Sequence, residues 1–309
     1  MHAQAMGAGA ALAGLARRCC HDQWVMREPA IEVRDLHKAY EAVEAVRGVS
    51  FEVQRGEVFG LLGPNGAGKT TTVEILEGYR ERSSGEVRVL GMDPGQRSRA
   101  LRERVGIVLQ QPGLYRHIRV REALVHWAGM YPSPRDPDEV LALVGLEGKE
   151  GARARELSGG QLRRLDLGLA LVGDPELIFL DEPTTGFDPA ARRAAWDTVR
   201  SLRDLGKTVL LTTHYLDEAQ ALADRVAIVK GGRILVEGAP RELGVGAAAR
   251  VRVTYRNALG EQVEHITDDP TQLLHELTGE ALERGEQLED LEVSRPTLEE
   301  VYLELTADV

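Results

Sequence analysis

Eight consecutive residues of the 309-residue chain, Gly63-Pro64-Asn65-Gly66-Ala67-Gly68-Lys69-Thr70, fit the pattern G-x-x-x-x-G-K-[ST]. Residues of these types at this spacing bind phosphate. Glycines let successive N–H groups converge on phosphate oxygens without side-chain obstruction. A helix opening at Lys69 adds the partial positive charge of its N-terminus. Lys69 supplies a mobile cation for β- and γ-phosphates, Thr70 an oxygen for Mg²⁺, and Thr71 continues the same turn. At an average glycine usage of ~7%, the four fixed positions match by chance in roughly 1% of chains this long, so a plain glycine turn is a weak alternative. Alone, the loop signals a nucleotide binder and no more, because kinases, GTPases and motor ATPases share it.

Four further stretches carry groups that could act on a bound nucleotide. In Leu157-Ser158-Gly159-Gly160-Gln161, a serine and two glycines at a helix start make a second anion site. An ordinary serine N-cap explains part of that pattern and is compatible with it. The apolar run Leu177–Leu180 ends in Asp181 and Glu182. Carboxylates at a strand's C-terminal end lie on the ligand edge of a parallel sheet. His214 follows the strand-like Val209–Thr213, and Gln110 follows Val105–Leu109, with Gln111 beside it as the alternative. Tyr40 lies before the extended run Val43–Val53 and offers an aromatic face for a base, or is a plain surface tyrosine of a strand.

These residues, in this order from Ile31 to about Pro240, resemble the ABC ATPase family. The resemblance implies a role for each. Leu157–Gln161 is similar to the ABC signature, Asp181 to the Walker B aspartate that holds Mg²⁺ through water, and Glu182 to the carboxylate that polarises the attacking water. Thr185-Gly186-Phe187-Asp188 resembles the D-loop, with Phe187 where leucine is usual. His214 resembles the switch histidine that contacts the γ-phosphate. Gln110 resembles the glutamine that reads Mg²⁺ and water and faces the membrane subunit, and Tyr40 the aromatic on which adenine stacks. Within the family, Arg163-Arg164-Leu165-Asp166-Leu167, Thr213–Ala219 and the tail Pro296–Leu303 look like ATPase subunits of daunorubicin-type antibiotic exporters. Arg119 departs from relatives, which often carry threonine there.

The elements that must position these groups alternate. Apolar runs Val58–Leu62, Val105–Leu109, Leu177–Leu180, Val209–Thr212 and Val226–Val229 predict buried strands. Helical patterns at Lys69–Glu77, Pro189–Leu205 and Leu216–Ala223 lie between them. The order predicts an α/β fold with a mostly parallel sheet. Read with the family, this is a P-loop NTPase (RecA-like) core with an ABC β-subdomain, a helical subdomain inserted at about 112–172, and a small C-terminal α+β appendage. Residues 29–245 form the expected ATPase domain and 246–309 the appendage. Residues 1–28 form a leader that is expected to be disordered or to lie upstream of a true start at Met26.

Composition narrows the partners. The net charge of −11 disfavours nucleic acid, whose phosphates need clustered Lys and Arg. Cys19 and Cys20 are adjacent and make no disulfide framework, which suits a reducing compartment. No stretch reaches the ~18 apolar residues of a membrane span. Any membrane part therefore belongs to another chain, and this one is expected on the cytoplasmic side of the membrane as a peripheral subunit. One phosphate loop and one signature imply a dimer, with itself or a sibling, that closes around ATP. The alternatives are a soluble ABC ATPase acting on ribosomes or DNA, a P-loop kinase, and an importer ATPase. A single motif set without coiled-coil heptads argues against the first, and Leu157–Gln161 with His214 against the second. The exporter-like tail argues against the third.

Overall fold

The computed structural model describes residues 28–41, 43–108, 116–243, 251–257, 260–294 and 297–306. Residues 1–27, Gln110, Gln111 and the small-residue stretch 244–249 lie outside the described residues. The chain opens with β1 (Ile31–Tyr40) and β2 (Val43–Val53), which pair antiparallel and, with β4 (Ser84–Val89) on the other side of β1, form a three-stranded sheet ordered β2-β1-β4. Ile31 and Val33 are buried, and then Leu36 rather than Asp35. A register shift between Val33 and Leu36, with Asp35 at φ 48°, resets the alternation. One extra residue in a strand moves every later side chain to the opposite face.

The central sheet has six strands in the order β5-β6-β7-β3-β8-β9. Its members are β3 (Val58–Leu62), β5 (Val105–Val108), β6 (Leu177–Asp181), β7 (Thr208–Thr213), β8 (Arg225–Lys230) and β9 (Arg233–Gly238). The first five are parallel, and β9 runs back antiparallel through Gly231–Gly232, both at positive φ, as two-residue hairpins prefer. All residues of β3 and β7 are buried, which is why these strands read as unbroken runs. Between strands lie α1 (Lys69–Leu76), α2 (Arg99–Arg102), α6 (Pro189–Asp204) and α7 (Leu216–Leu222).

Between β5 and β6 the described chain is helical: α3 (Val120–Ala128), α4 (Pro137–Leu143) and α5 (Gly159–Leu171). On α3 the buried set is Val120, Ala123, Leu124 and Ala128, the i, i+3, i+4, i+8 stripe of a helix with one apolar face. Gly168 of α5 sits where a Cβ would be 3.3 Å from Val140 and 3.4 Å from Leu124, so α5 packs closely on both other helices. The far end of α5 leads back to the sheet.

The C-terminal part has β10 (Val251–Arg256) between β11 (Gln262–Thr267) and β12 (Glu289–Ser294), all antiparallel, with α8 (Pro270–Arg284) and α9 (Leu298–Thr306). Leu298 of α9 is only 2% exposed, in one apolar cluster with Leu62, Ala219, Val226, Ile228 and Leu243. The tail thus packs on the side of the core formed by α7, β3 and β8. Sequence reasoning did not find β4 or α2, because short, half-exposed elements carry little periodicity.

At the end of the sheet away from the phosphate loop, Glu176 accepts hydrogen bonds from Arg104 (3.0 Å) and Arg55 (2.8 Å). The Arg104 guanidinium, then Arg55, holds its carboxyl down to about 2. A folded-state pKa below the ordinary 4.5 means stability that is present above 4.5 and lost as the pH falls toward 2. Glu176→Gln should therefore lower Tm at pH 7, and the gap from the native chain should narrow in thermal melts taken below pH 4.5. A gap that does not change with pH would show that the ion pair does not contribute.

Candidate active site

The phosphate loop leaves the buried end of β3 between two neighbouring strands. The Gly63 N–H donates to the carbonyl of Thr213 at 3.3 Å, and a Cβ on Gly63 would overlap the carbonyl oxygen of Val229. Only glycine fits there. Gly68, at φ 103°, packs against the Ala45 carbonyl of β2, and Gly66, at φ 79°, faces open space. Ala67 is buried and anchors the turn, its N–H donating to the Pro64 carbonyl and its own carbonyl accepting from Gly232. Asn65 and Thr70 are exposed, and Pro64 and Thr71 half-buried. Helix α1 begins with no side-chain cap and no acid in its first turn. Its leading N–H groups therefore suit an external acceptor, and a phosphate fits that cradle.

Lys69 is 4% exposed. Its ammonium donates to the carbonyls of Gly63 (2.8 Å) and Pro64 (3.2 Å) and lies 3.7 Å from Glu182 Oε1. Burial pulls its pKa down, against the opposing pull of Glu182 and Asp181. Asp181, at the C-terminal end of β6, is pushed up by burial. Cation and acid are both desolvated, and both would gain from a ligand carrying the opposite charge.

Thr212 ties the two carboxylate residues together. Its hydroxyl donates to Asp181 Oδ1 at 2.6 Å and accepts from the Glu182 N–H at 3.0 Å. The pairing of β6 with β7 sets Asp181 directly opposite Thr212. Glu182 has φ 44°, a left-handed backbone that only a well-determined site sustains in a residue other than glycine. Thr185 donates to its Oε2 at 3.1 Å. His214 Nδ1 lies 3.4 Å from Glu182 Oε1, and that buried nitrogen has no hydrogen-bond partner among the described residues. The His214 ring lies 4.1 Å from that of Tyr215, which Arg192 covers on α6 at 4.2 Å. Lys69, Asp181, Glu182 and His214 thus converge at the C-terminal edge of the sheet. Thr212 was missed from sequence, where it reads as a β-branched strand residue.

The other predicted residues stand on other elements. Ser158 caps α5, its hydroxyl accepting from Gln161 N–H at 3.3 Å while Gln161 Oε1 accepts from Ser158 N–H at 3.0 Å. Gly159 has open space around it, and Gly160 only Ala191 nearby. Asp188 caps α6 by accepting from Ala191 N–H at 2.9 Å. Ser158–Gln161 and Asp188 border a cavity of about 250 Å³ between α5 and α6, which no residue of Gly63–Thr71 lines. No hydrogen bond or ion pair joins Ser158–Gln161 to the phosphate loop among the described residues. Tyr40 is 36% exposed at the end of β1, with Lys38 and Arg80 5.1 and 5.2 Å from its ring centre. Arg80 in turn pairs with Glu74 of α1 at 2.5 Å, which connects the ring to the phosphate-loop helix.

Residues 46–185 match the ABC transporter family. The daunorubicin resistance ATP-binding protein DrrA3 of Streptomyces coeruleorubidus is 39% identical over 308 residues, covering 92% of this chain and 98% of that protein. The Nod factor export ATP-binding protein I of Paraburkholderia xenovorans (strain LB400) is 40% identical over 301 residues, covering 91% and 98%. Among solved structures, cbiO1 from Clostridium perfringens, part of the ABC transporter complex cbiONQ, superposes with a TM-score of 0.64. It is 30% identical and covers 71% of this chain and 92% of that one.

Thr212→Val keeps the strand's shape and deletes the bridge. It should cost about 1–3 kcal/mol, since it leaves the Glu182 N–H unpaired. It should also slow nucleotide hydrolysis about tenfold, the equivalent of ~1.4 kcal/mol at the barrier. Urea titration and phosphate release at saturating nucleotide measure the two effects, and native values in both would remove Thr212 from the site.

Proposed function

The chain belongs to the ATP-binding family of ABC transporters, and we propose that it is the ATP-hydrolysing subunit of an exporter whose membrane permease is a separate chain. The observation that carries this reading is a division of labour within one chain. Lys69 and His214 both lie within 3.7 Å of Glu182, while the serine-led end of α5 borders a separate cavity that no phosphate-loop residue lines. Each chain then holds two incomplete halves of a nucleotide site. Two chains arranged head to tail, identical or siblings, complete them. Ser158, Gly159, Gly160 and Gln161 of one chain, with Asp188 nearby, cover the γ-phosphate held by the loop of the other.

In that dimer the N–H groups of Gly63–Thr71 cradle the phosphates and Tyr40 stacks on adenine. Lys69 turns from its own loop carbonyls to the β- and γ-phosphates. The Thr70 hydroxyl, Asp181 and Gln110 would hold Mg²⁺, which when bound would supply neutralising charge to the phosphates. The oxygen donors of Thr70 and Asp181 fit a hard cation, which would share its coordination with phosphate oxygens. Glu182 polarises the water that attacks the γ-phosphorus as its bond to the bridging oxygen breaks. His214, steadied by Tyr215, contacts the transferred phosphoryl group. Binding closes the dimer, hydrolysis reopens it, and the helical segment with Gln110 passes the motion to the permease.

Export is favoured over import because relatives of 39% and 40% identity are named for daunorubicin resistance and Nod factor export. No described helix is long and apolar enough to cross a membrane, which fits a peripheral subunit on the cytoplasmic face.

Glu182→Gln should bind ATP normally, lose nearly all turnover and accumulate an ATP-dependent dimer in size-exclusion chromatography. Full turnover would take the water-activating role from Glu182. Ser158→Arg should abolish hydrolysis and leave ATP bound to the loop with near-native affinity. Equal loss of both in nucleotide titrations would sink the two-chain site.

A further inference from the structure

Two adjacent arginines on α5 point in different directions. Arg164 donates to the carbonyl of Gly145, just past α4, at 2.7 Å, and so ties α5 to the helical segment. Arg163 turns inward and is 7% exposed. Its Nε donates to the carbonyl of Pro183 at 3.2 Å, and its Nη2 to the carbonyl of Asp181 at 3.3 Å. These two carbonyls flank Glu182, the residue held at φ 44°. On the other side of the same short segment, the Thr184 hydroxyl donates to Glu218 Oε1 at 2.8 Å. Glu218 is 1% exposed and also accepts from Trp196 of α6 at 3.2 Å. The loop that carries Glu182 is therefore gripped by an arginine from α5 and by a carboxylate from α7.

We propose that Arg163 is a positioning residue for hydrolysis, fixing Glu182 through the carbonyls on either side of it and tying it to the helix whose N-terminus meets the partner chain's nucleotide. The inference rests on the two-chain site proposed above and adds a physical link between its halves within one chain. Ser158 lies five residues before Arg163, about 7.5 Å along the helix axis. A displacement of the α5 N-terminus when it meets a phosphate is carried by a rigid helix to the guanidinium, and from there to the Glu182 backbone. The chemistry requires arginine. A planar guanidinium can reach two carbonyls at fixed separation, whereas a lysine ammonium is a single point donor. Burial pulls the Arg163 pKa down, and Asp166, Asp181 and Glu218 offset part of that shift. The stem borders the cavity between α5 and α6, which gives a small cation access to its place.

The test uses the full chain with Arg163→Ala and Arg163→Lys, each also combined with Glu182→Gln. Both single variants should bind a fluorescent ATP analogue with Kd within about twofold of native, which is under 0.5 kcal/mol. In the Glu182→Gln background both should still form the ATP-dependent dimer. Their kcat should fall about tenfold or more with little change in KM. Millimolar guanidinium should restore part of the lost kcat in Arg163→Ala and none in the native chain. Should the alanine variant fail to fold, the lysine variant carries the kcat and KM comparison. Native kcat in either variant would overturn the proposal. So would a loss carried by KM or by dimer formation, or an absence of guanidinium rescue in a folded Arg163→Ala. If Glu182→Gln with native Arg163 forms no ATP-dependent dimer, the two-chain site fails first, which separates that failure from this one.

Discussion

Everything at the site depends on charges that the fold places where water cannot fully reach them. Lys69 is almost wholly buried, and its nearest acids are Glu182 and Asp181. The ammonium has its pKa lowered and Asp181 has its pKa raised, so burial outweighs their mutual attraction for both. A buried ion pair whose desolvation is incompletely offset is poor glue for a fold. It suits a receptor, because a polyphosphate would answer the cation and a divalent metal the acids. Apolar residues supply stability elsewhere, in the wholly buried strands β3 and β7 and the helix faces around them.

The sheet register makes that arrangement possible. Asp181 pairs opposite Thr212, and Thr212 is level with Leu61 of β3. The ends of β6, β7 and β3 are therefore staggered by only a residue or two, and the loops that leave them open on one edge. Gly63 allows the first loop to turn between β7 and β8 without a clash. Thr212 then links two neighbouring residues by donating to one and accepting from the next. The strained backbone of Glu182 is held by Thr212 and Thr185 directly, by Arg163 through the flanking carbonyls, and by Glu218 through Thr184. Only Thr185 is local; the other three come from β7, α5 and α7, so no single local sequence determines the geometry.

What the sequence alone reveals follows from which positions burial and backbone geometry constrain locally. The parallel strands were legible because double-sided burial leaves unbroken apolar runs such as Val58–Leu62. The phosphate loop and signature were legible because glycine and serine are required there by backbone geometry. The loop from Gly63 to Thr71 and the pair Asp181 and Glu182 fall beside one another as their strand ends predict. The bulge at Asp35 was not legible, since a register reset depends on the partner strand. The inward turn of Arg163 was also hidden. A pair of arginines on a helix reads as a solvated face until α4 and the end of β6 are seen to lie on either side of it. Gln110 and Gln111 lie outside the described residues, so the choice between them rests on spacing alone.

The two helix N-termini expected to face phosphate differ in how they are finished. Helix α1 starts at Lys69 with no side-chain cap, so its free amides depend on a ligand. Helix α5 starts with a complete capping box, in which Ser158 and Gln161 satisfy each other's backbone N–H groups. The first terminus gains a full set of hydrogen bonds when phosphate arrives, whereas the second must exchange bonds it already has. The start of α1 is therefore the readier anion site, and the start of α5 must give up bonds to become one. Such an order suits a cycle in which nucleotide first loads onto an open subunit and closure follows. An uncapped α5 would bind phosphate more eagerly, and would also make reopening harder after hydrolysis. In the proposed two-chain site, the Ser158 cap would lower the phosphate affinity of the α5 half.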